Sequence, residues 1–382
     1  MSHPIEKKKR VEQIDVIRGF ALMGVLLVNM TMIDGTLYSS ADPGLEGINL
    51  IFQKAIHFFA VGKFYTLFSM LFGLGFYYFM KKDEGELIGK KLYKRRLMAL
   101  FCFGLLHLMF VWHGDILHVY ALVGIFLMLN TNTSSAKLLK RAIFLFILST
   151  VMMVLLQSGS GGDAFAYDDI IKETTEVYTE GRYFEVVAFR VTQELPLIAM
   201  NFLFVLPKIL CLFLLGYAVG KVQLFDHLEE HHKGVKRVWL TTGILFVLIG
   251  LLLQINALHL LKINIIVLLD EVSTVVGALF YATSLILLYR TKIGKRLLTP
   301  LKYAGQMALT NYLVQTVVMT FFFYGYGFGQ FEKLPYWTYI PMMLTLYGAQ
   351  LVVSTLWMTR HRFGPMEKLW RTLTYGRSHL KV

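Results

Sequence analysis

The sequence predicts an all-α polytopic bundle that crosses a membrane about ten times, with both termini cytoplasmic. Three observations predict it. Hydrophobic residues make up 56% of the chain and charged residues only 16%. Several apolar runs approach or exceed the roughly 20 residues that a helix needs to cross a bilayer. The basic residues fall between those runs in alternating fashion, which sets orientation.

The expected spans lie at about 14–33, 57–80, 97–113, 115–130, 139–156, 197–219, 237–257, 265–289, 305–325 and 338–359. With the N-terminus inside, the inner segments are Lys7–Arg10, Lys81–Arg96, Lys137–Arg141, Lys221–Arg237, Arg290–Lys302 and Arg360–Lys381. They hold 29 of the 38 basic residues. The outer segments hold only Lys54, Lys172, Arg182, Arg190, Lys262 and Lys333. The formal charge of +13 is thus read as orientation and contact with anionic membrane lipid, and nucleic acid is not an expected partner. Cys102 and Cys211 lie inside apolar runs and read as small apolar residues, so neither a disulfide nor a metal cluster is expected. The run after Lys7–Arg10 is too long for a cleaved signal peptide and reads as an uncleaved helix.

The longest outer segment divides the chain into 1–156, 157–196 and 197–382. It opens with Ser158-Gly-Ser-Gly-Gly162 and turns acidic and amphipathic through Asp168, Asp169, Glu173, Glu176, Glu180 and Glu185. One or two helices over the outer mouth are expected there. Five spans on each side would give the halves inverted topology, as in many transporters.

The first span carries charge where charge is costly. Asp15, Arg18 and Asn29 fall within about 60° of one another on a helix and cover about 21 Å of rise. Such a stripe faces a bundle interior or a wet cavity; alternatively Asp15 and Arg18 pair locally at the inner interface. Lys63 lies roughly 9 Å inside the second span, where it either serves a site or snorkels to the interface. His107 lies about 15 Å into the third span, with Arg96 nearly on the same helix face. It reads as a general base or proton relay, or as a neutral imidazole bonded to a neighbouring helix.

Trp112-His-Gly-Asp-Ile-Leu-His118 is a tight turn. Asp115 can cap the next helix, orient a histidine, or both. The flanking His113 and His118 do not have zinc spacing, and no metal site is expected. Asp270 and Glu271 point about 100° apart and could bind a proton or cation. Asn311 and Gln315 read as bonds between helices. Walker, Gly-x-Gly-x-x-Gly, Gly-x-Ser-x-Gly and His-Glu-x-x-His motifs are absent, which argues against an ATP-driven pump or a serine hydrolase.

Several motifs in combination resemble the bacterial YeiB-like membrane proteins. They are Asp15-x-x-Arg18-Gly19-x-Ala21-x-x-Gly24 through Asn29, and Lys63-Phe64 with Leu67-Phe68-x-x-Leu71-Phe72-Gly73. Arg96-Leu97 with Gly104-Leu-Leu-His107 and Gly114-Asp-Ile-Leu-x-x-Tyr120-Ala121 follow. Gly305-x-x-Ala308-Leu-Thr-Asn-Tyr312-x-x-Gln315 and Phe363-Gly-Pro-x-Glu367-x-x-Trp370-Arg371 resemble that family's C-terminal domain of unknown function. More distantly, the Asp-x-x-Arg-Gly helix resembles the first helix of membrane acyltransferases, including heparan glucosaminide acetyltransferase and bacterial sugar O-acyltransferases. The resemblance implies a bacterial cytoplasmic membrane and acyl transfer from cytoplasmic acyl-CoA to a small-molecule, glycan or lipid acceptor across it. The sugar O-acyltransferases place a histidine where this chain has Asn29, so the base must be another residue, His107 or else His57, or there is no acyl transfer at all.

Two functions follow. In an acyltransferase, Asp15, Arg18 and Arg96 would meet CoA, with no permanently bound cofactor. His107 would be the base, Asp115 its orienter, and Lys63 or Asn29 would stabilise an oxyanion. In a proton-coupled transporter or exporter of a small solute or lipid, Asp270, Glu271 and the buried histidine would carry protons. A scaffold or lipid-binding protein without catalysis is the third reading. A homodimer is the expected assembly.

Overall fold

The expected spans fall on helical segments, with 57–80 and 305–325 each crossing a helix break, and helices of the two sequence halves pack against one another. The protein is described here by a computed structural model covering residues 11–37, 45–81, 86–159, 168–255 and 262–376. The Lys7–Arg10 patch, most of the Ser158–Gly162 run and the end of the Arg360–Lys381 segment lie outside the described residues. Among the described residues there are helices and no strand.

The helices in chain order are α1 (Glu12–Ile33), α2 (Gly47–Phe59), α3 (Lys63–Met80), α4 (Glu86–Phe110), α5 (Leu117–Leu127), α6 (Ser135–Gly159), α7 (Asp168–Glu180) and α8 (Tyr183–Phe189). After them come α9 (Leu195–Lys221), α10 (His232–Ile255), α11 (Ile263–Tyr289), α12 (Lys292–Gln306), α13 (Ala308–Phe323), α14 (Tyr339–Arg360) and α15 (Pro365–Tyr375).

Among the described residues, seven helical runs are long and apolar enough to cross a membrane. Leu117–Asn130 and Ala308–Phe323 are shorter apolar helices. α4 is long, but Lys90, Lys91, Lys94, Arg95 and Arg96 make its first half basic. The described residues are therefore those of an all-α membrane protein, with seven helical runs among them that qualify by length and composition.

Glycines set the closest helix approaches. A Cβ on Gly19 would lie 2.0 Å from the Leu301 carbonyl oxygen, and one on Gly305 would lie 1.9 Å from that of Asp15. α1 and α12 therefore meet backbone to backbone. Small residues allow this in a membrane bundle, where dispersion rather than hydrophobic exclusion holds helices together. α3 and α9 meet in the same way through Gly73 and Gly216.

Two departures from expectation bear on the site. The second span was expected to run through 57–80 with Lys63 inside it. Gly62 instead adopts φ +81°, a left-handed conformation that ends one helix and starts another. Lys63 is the first residue of α3. The outer segment does form the two helices α7 and α8. α8, however, runs through a π-helical turn (Arg190–Glu194) straight into α9, so Arg190 and Glu194 belong to one run with the next span and not to a separate outer segment.

Candidate functional site

A cavity of about 450 Å³ lies between α1, α3, α4, α5, α13 and α15. That volume is in the range of small-molecule sites. Arg18 and Asn29 both line it, and they are separated by about 16 Å of rise along α1.

One end is cationic. It carries Arg18, Arg96 and Arg371, with Gln306 and Glu367. Arg18 pairs with Asp15 at 2.8 Å, and Gln306 donates to the other carboxylate oxygen of Asp15 at 3.2 Å. The expected local pair thus forms, while Arg18 still faces the cavity. The Arg96 guanidinium lies 3.7 Å from the centre of the Trp370 ring. Trp370 also donates its indole N–H to the Arg96 carbonyl at 2.9 Å. Stacking fixes the guanidinium plane and leaves its edge to meet an anion. Tyr93 lines the same cavity, and its hydroxyl is buried with no hydrogen-bond partner among the described residues.

Glu367 has another task. It accepts from the backbone N–H of Leu309 at 2.7 Å, that of Thr310 at 3.1 Å and the Thr310 hydroxyl at 2.6 Å. A carboxylate here satisfies amides that the first turn of α13 leaves open and complements the helix dipole. α12 stops at Met307, and α13 restarts under this clamp.

The body of the cavity is uncharged. Val25, Phe64, Phe68, Leu71, Phe72, Leu100 and Tyr120 are among its lining residues. Asn29, Met32, Gly62, Trp112 and Gly114 line its far end.

The turn between α4 and α5 stands behind that far end. Gly104 lets the two helices close, since a Cβ there would lie 2.3 Å from the His118 nitrogen and 2.9 Å from an Asp115 oxygen. Asp115 accepts from His107 Nδ1 at 3.0 Å, His118 Nδ1 at 2.8 Å and the His118 backbone N–H at 2.9 Å. It therefore caps α5 and holds two imidazoles together. His107 is 3% exposed, and its Nε2 has no partner among the described residues. His107 lies in the last turn of α4, not at its middle, and does not line the cavity. Tyr312, 5.3 Å from it ring to ring, does.

Of the other expected residues, Lys63 is buried but directed away from the cavity. Its Nζ lies 3.4 Å from the His57 carbonyl and 5.5 Å from the Phe58 ring centre. Glu271 pairs with Lys208, and Asp270 lies 3.7 Å from His57 Nε2, so the adjacent acids serve different partners. Asn311 donates to Ser354 and Gln315 to Gln350, binding α13 to α14.

Sequence reasoning missed Tyr93, Trp112, Gln306, Glu367, Trp370 and Arg371 as cavity residues. Glu367 and Arg371 are four apart on a short helix that begins at Gly364-Pro365, a readable signal. It also missed Glu194, which is fully buried. Glu194 accepts from the Tyr178 hydroxyl at 2.9 Å and pairs with His113 at 3.2 Å and Arg190 at 3.8 Å.

A profile described as "Protein of unknown function (DUF418)" matches residues 219–377. The chain is 31% identical over 363 residues to "Uncharacterized protein YxaH" of Bacillus subtilis (strain 168), covering 87% of this chain and 86% of that one. It is 24% identical over 353 residues to "Uncharacterized protein YeiB" of Escherichia coli (strain K12), covering 84% of this chain and 86% of that one. The chain belongs to the YeiB-like family. A further relative of this YeiB-like chain is the "Uncharacterized 39.9 kDa protein in amylase 3'region" of Bacillus acidopullulyticus, 30% identical over 395 residues, 98% of this chain and 96% of that one. No solved structure matches the YeiB-like chain. The profile covers Gln306, Tyr312, Glu367, Trp370 and Arg371, while Arg18, Asn29, Arg96 and Asp115 come from outside it.

Proposed function

We propose that this protein is a membrane acyltransferase that takes an acyl group from cytoplasmic acyl-CoA and passes it to an acceptor hydroxyl or amine. The observation that carries this reading is the polarity of the cavity, with three guanidiniums at one end and an uncharged passage to the His107–Asp115 pair behind the other. Phosphates of CoA suit the arginine end. Its pantetheine arm has twelve backbone bonds between phosphate oxygen and sulfur, the reach of about four extended residues or roughly 14 Å. That length brings a thioester toward Asn29.

In the reaction, the acceptor oxygen or nitrogen bonds to the acyl carbon and the carbon–sulfur bond breaks. The acceptor proton passes to His107 Nε2 and then to the leaving thiolate. Tyr312 stands between His107 and the cavity, so the proton travels by way of that side chain or after it turns aside. Asp115 orients the imidazole.

The reading includes ten crossings and both termini on the cytoplasmic side of a bacterial cell membrane, with the arginine end facing the cytoplasm. The asymmetry of basic residues supports that orientation. A carrier for an anionic amphiphile is the second reading. Helix breaks beside the cavity, at Gly62 and before Ala308, favour it.

Calorimetry in nanodiscs with acetyl-CoA and longer acyl-CoAs tests the proposal. Micromolar binding is expected, weakened about tenfold by Arg18→Ala, the loss of one charge-assisted contact. Absence of binding to every donor by folded protein overturns it. Binding without any covalent product across a panel of acceptors supports the carrier.

A further inference from the structure

The cavity's far end must meet the oxygen of the transferred acyl group, and its charged residues are in the wrong place to do so. Arg18, Arg96, Glu367 and Arg371 are the charged residues that line the cavity, and they all sit at the other end. Lys63, expected from the sequence to stabilise an oxyanion, turns its ammonium to the His57 carbonyl and does not line the cavity.

Trp112 does line that end. Its side chain is 1% exposed, and its indole Nε1 has no hydrogen-bond partner among the described residues. An indole N–H is a donor only, and burying one unpaired costs about 1–3 kcal/mol. Buried tryptophans ordinarily find a partner, and three less buried ones here do. Trp239 donates to Ser284, Trp357 to the Phe363 carbonyl and Trp370 to the Arg96 carbonyl. The Trp112 ring is also fixed in place. A Cβ on Gly114 would lie 2.3 Å from it, so the ring and the turn that carries Asp115 are packed as one piece.

We infer that the Trp112 indole N–H receives the acyl carbonyl oxygen of the donor, with the Asn29 carboxamide lining the same end. This rests on the acyl-transfer reading above. When the acceptor attacks, the carbonyl π electrons move onto that oxygen and the N–H holds the negative charge. When the carbon–sulfur bond breaks they return, and the thiolate leaves with the proton from His107. A preorganised neutral donor in a dry site stabilises such an oxyanion without the desolvation cost of a buried cation.

The test uses full-length protein in nanodiscs, with tryptophan labelled by ¹⁵N at the indole. The chain has five tryptophans. Single Trp→Phe changes at Trp239, Trp337, Trp357 and Trp370 assign the four other signals, so the fifth is identified even if Trp112→Phe does not fold. Acetyl-CoA is expected to move the Trp112 indole proton downfield, and CoA without an acyl group is not. Where Trp112→Phe folds, it is expected to bind CoA as wild type does and to transfer acyl groups about 10²–10³-fold more slowly. An indole signal unmoved by an acetyl-CoA that binds, or a Trp112→Phe protein that transfers at the wild-type rate, overturns this inference and leaves the acyltransferase reading standing. Wild-type protein that binds no acyl-CoA overturns both.

Discussion

Asp115 and Glu194 are both buried carboxylates, each beside the short turn that carries Trp112, and each holds a histidine. Their surroundings separate them. Asp115 has two imidazoles and a backbone N–H, with no permanent cation among these partners. Glu194 has the Arg190 guanidinium, the Tyr178 hydroxyl on both oxygens, and His113. Arg190 in turn donates to the Met109 carbonyl at 3.2 Å, and Tyr183 to that of Phe110 at 2.8 Å, which ties the run around α8 to the end of α4. The contrast teaches that a buried carboxylate is not a functional signal by itself. A fixed cation and a tyrosine make Glu194 a clamp. Asp115 has two imidazoles and no guanidinium among these partners, next to a cavity wall, and the acyl-transfer proposal assigns it the orienting role.

The comparison can be broken by substitution. Asp115→Asn keeps the shape but replaces one of two acceptor oxygens, each of which faces an imidazole nitrogen, with a donor amide. Transfer is expected to fall by about four orders of magnitude, the scale seen when an orienting aspartate is lost, while the protein still inserts and binds CoA. Steady-state rates beside calorimetry check this, and near-normal transfer would remove Asp115 from the chemistry. Glu194→Ala leaves a buried guanidinium uncompensated. It is expected to cost about 3–5 kcal/mol in stability, seen as lowered denaturation temperature and yield, and the protein that remains folded should keep its acyl-CoA affinity. A stable variant with altered affinity would move Glu194 to the site.

The smallest effect sharpens the comparison with a third carboxylate. Asp34 ends α1, accepts from the Glu332 backbone N–H at 2.5 Å and the Tyr339 hydroxyl at 2.7 Å, and has no cation among these partners. Burial pushes its pKa from the ordinary 3.8 up to about 7. The folded state therefore holds a proton that the unfolded chain has released. Asp34's contribution is fully present below its unfolded pKa and is lost as pH rises through about 7. Melting temperature should fall by a few degrees from pH 5 to pH 8, and Asp34→Asn should flatten that slope. A slope unchanged by the substitution would assign it to another group.

The sequence made the helices legible because a bilayer demands long apolar runs, and those runs stand out against sparse charge. The Asp15–Arg18–Asn29 stripe was legible for the same reason. Two of its residues do line the cavity. His107 and Asp115 were readable as partners because eight residues and a tight turn leave them few other places to go. Lys63 misled because nothing in its own helix pattern announces that Gly62 takes a left-handed turn. The arginine end was only half readable. Arg18 and Arg96 are visible as charges next to apolar runs, but Arg371, Trp370 and Glu367 reach them from a helix more than two hundred residues away in sequence, and a short amphipathic helix does not declare what it will cover. Arg190 and Glu194 were hidden because a π turn joins the expected outer helix to the next span in one continuous run, which the sequence pattern had divided at about 196.

The clamp between Glu367 and the start of α13 has a consequence for biosynthesis. Arg18 comes from the first described helix, while Arg371 and Trp370 come from the last. A ribosome threading this chain into the membrane lays down the uncharged passage early and can close its cationic mouth only near the end of translation. Until α15 swings against α4 and α13, the first turn of α13 lacks its carboxylate partner and Arg96 has the Phe79 ring at 5.7 Å but not the closer Trp370. On the acyl-transfer proposal, a half-made chain lacks the residues that complete the cationic mouth, and selection of the donor's head would arrive with the last described helix.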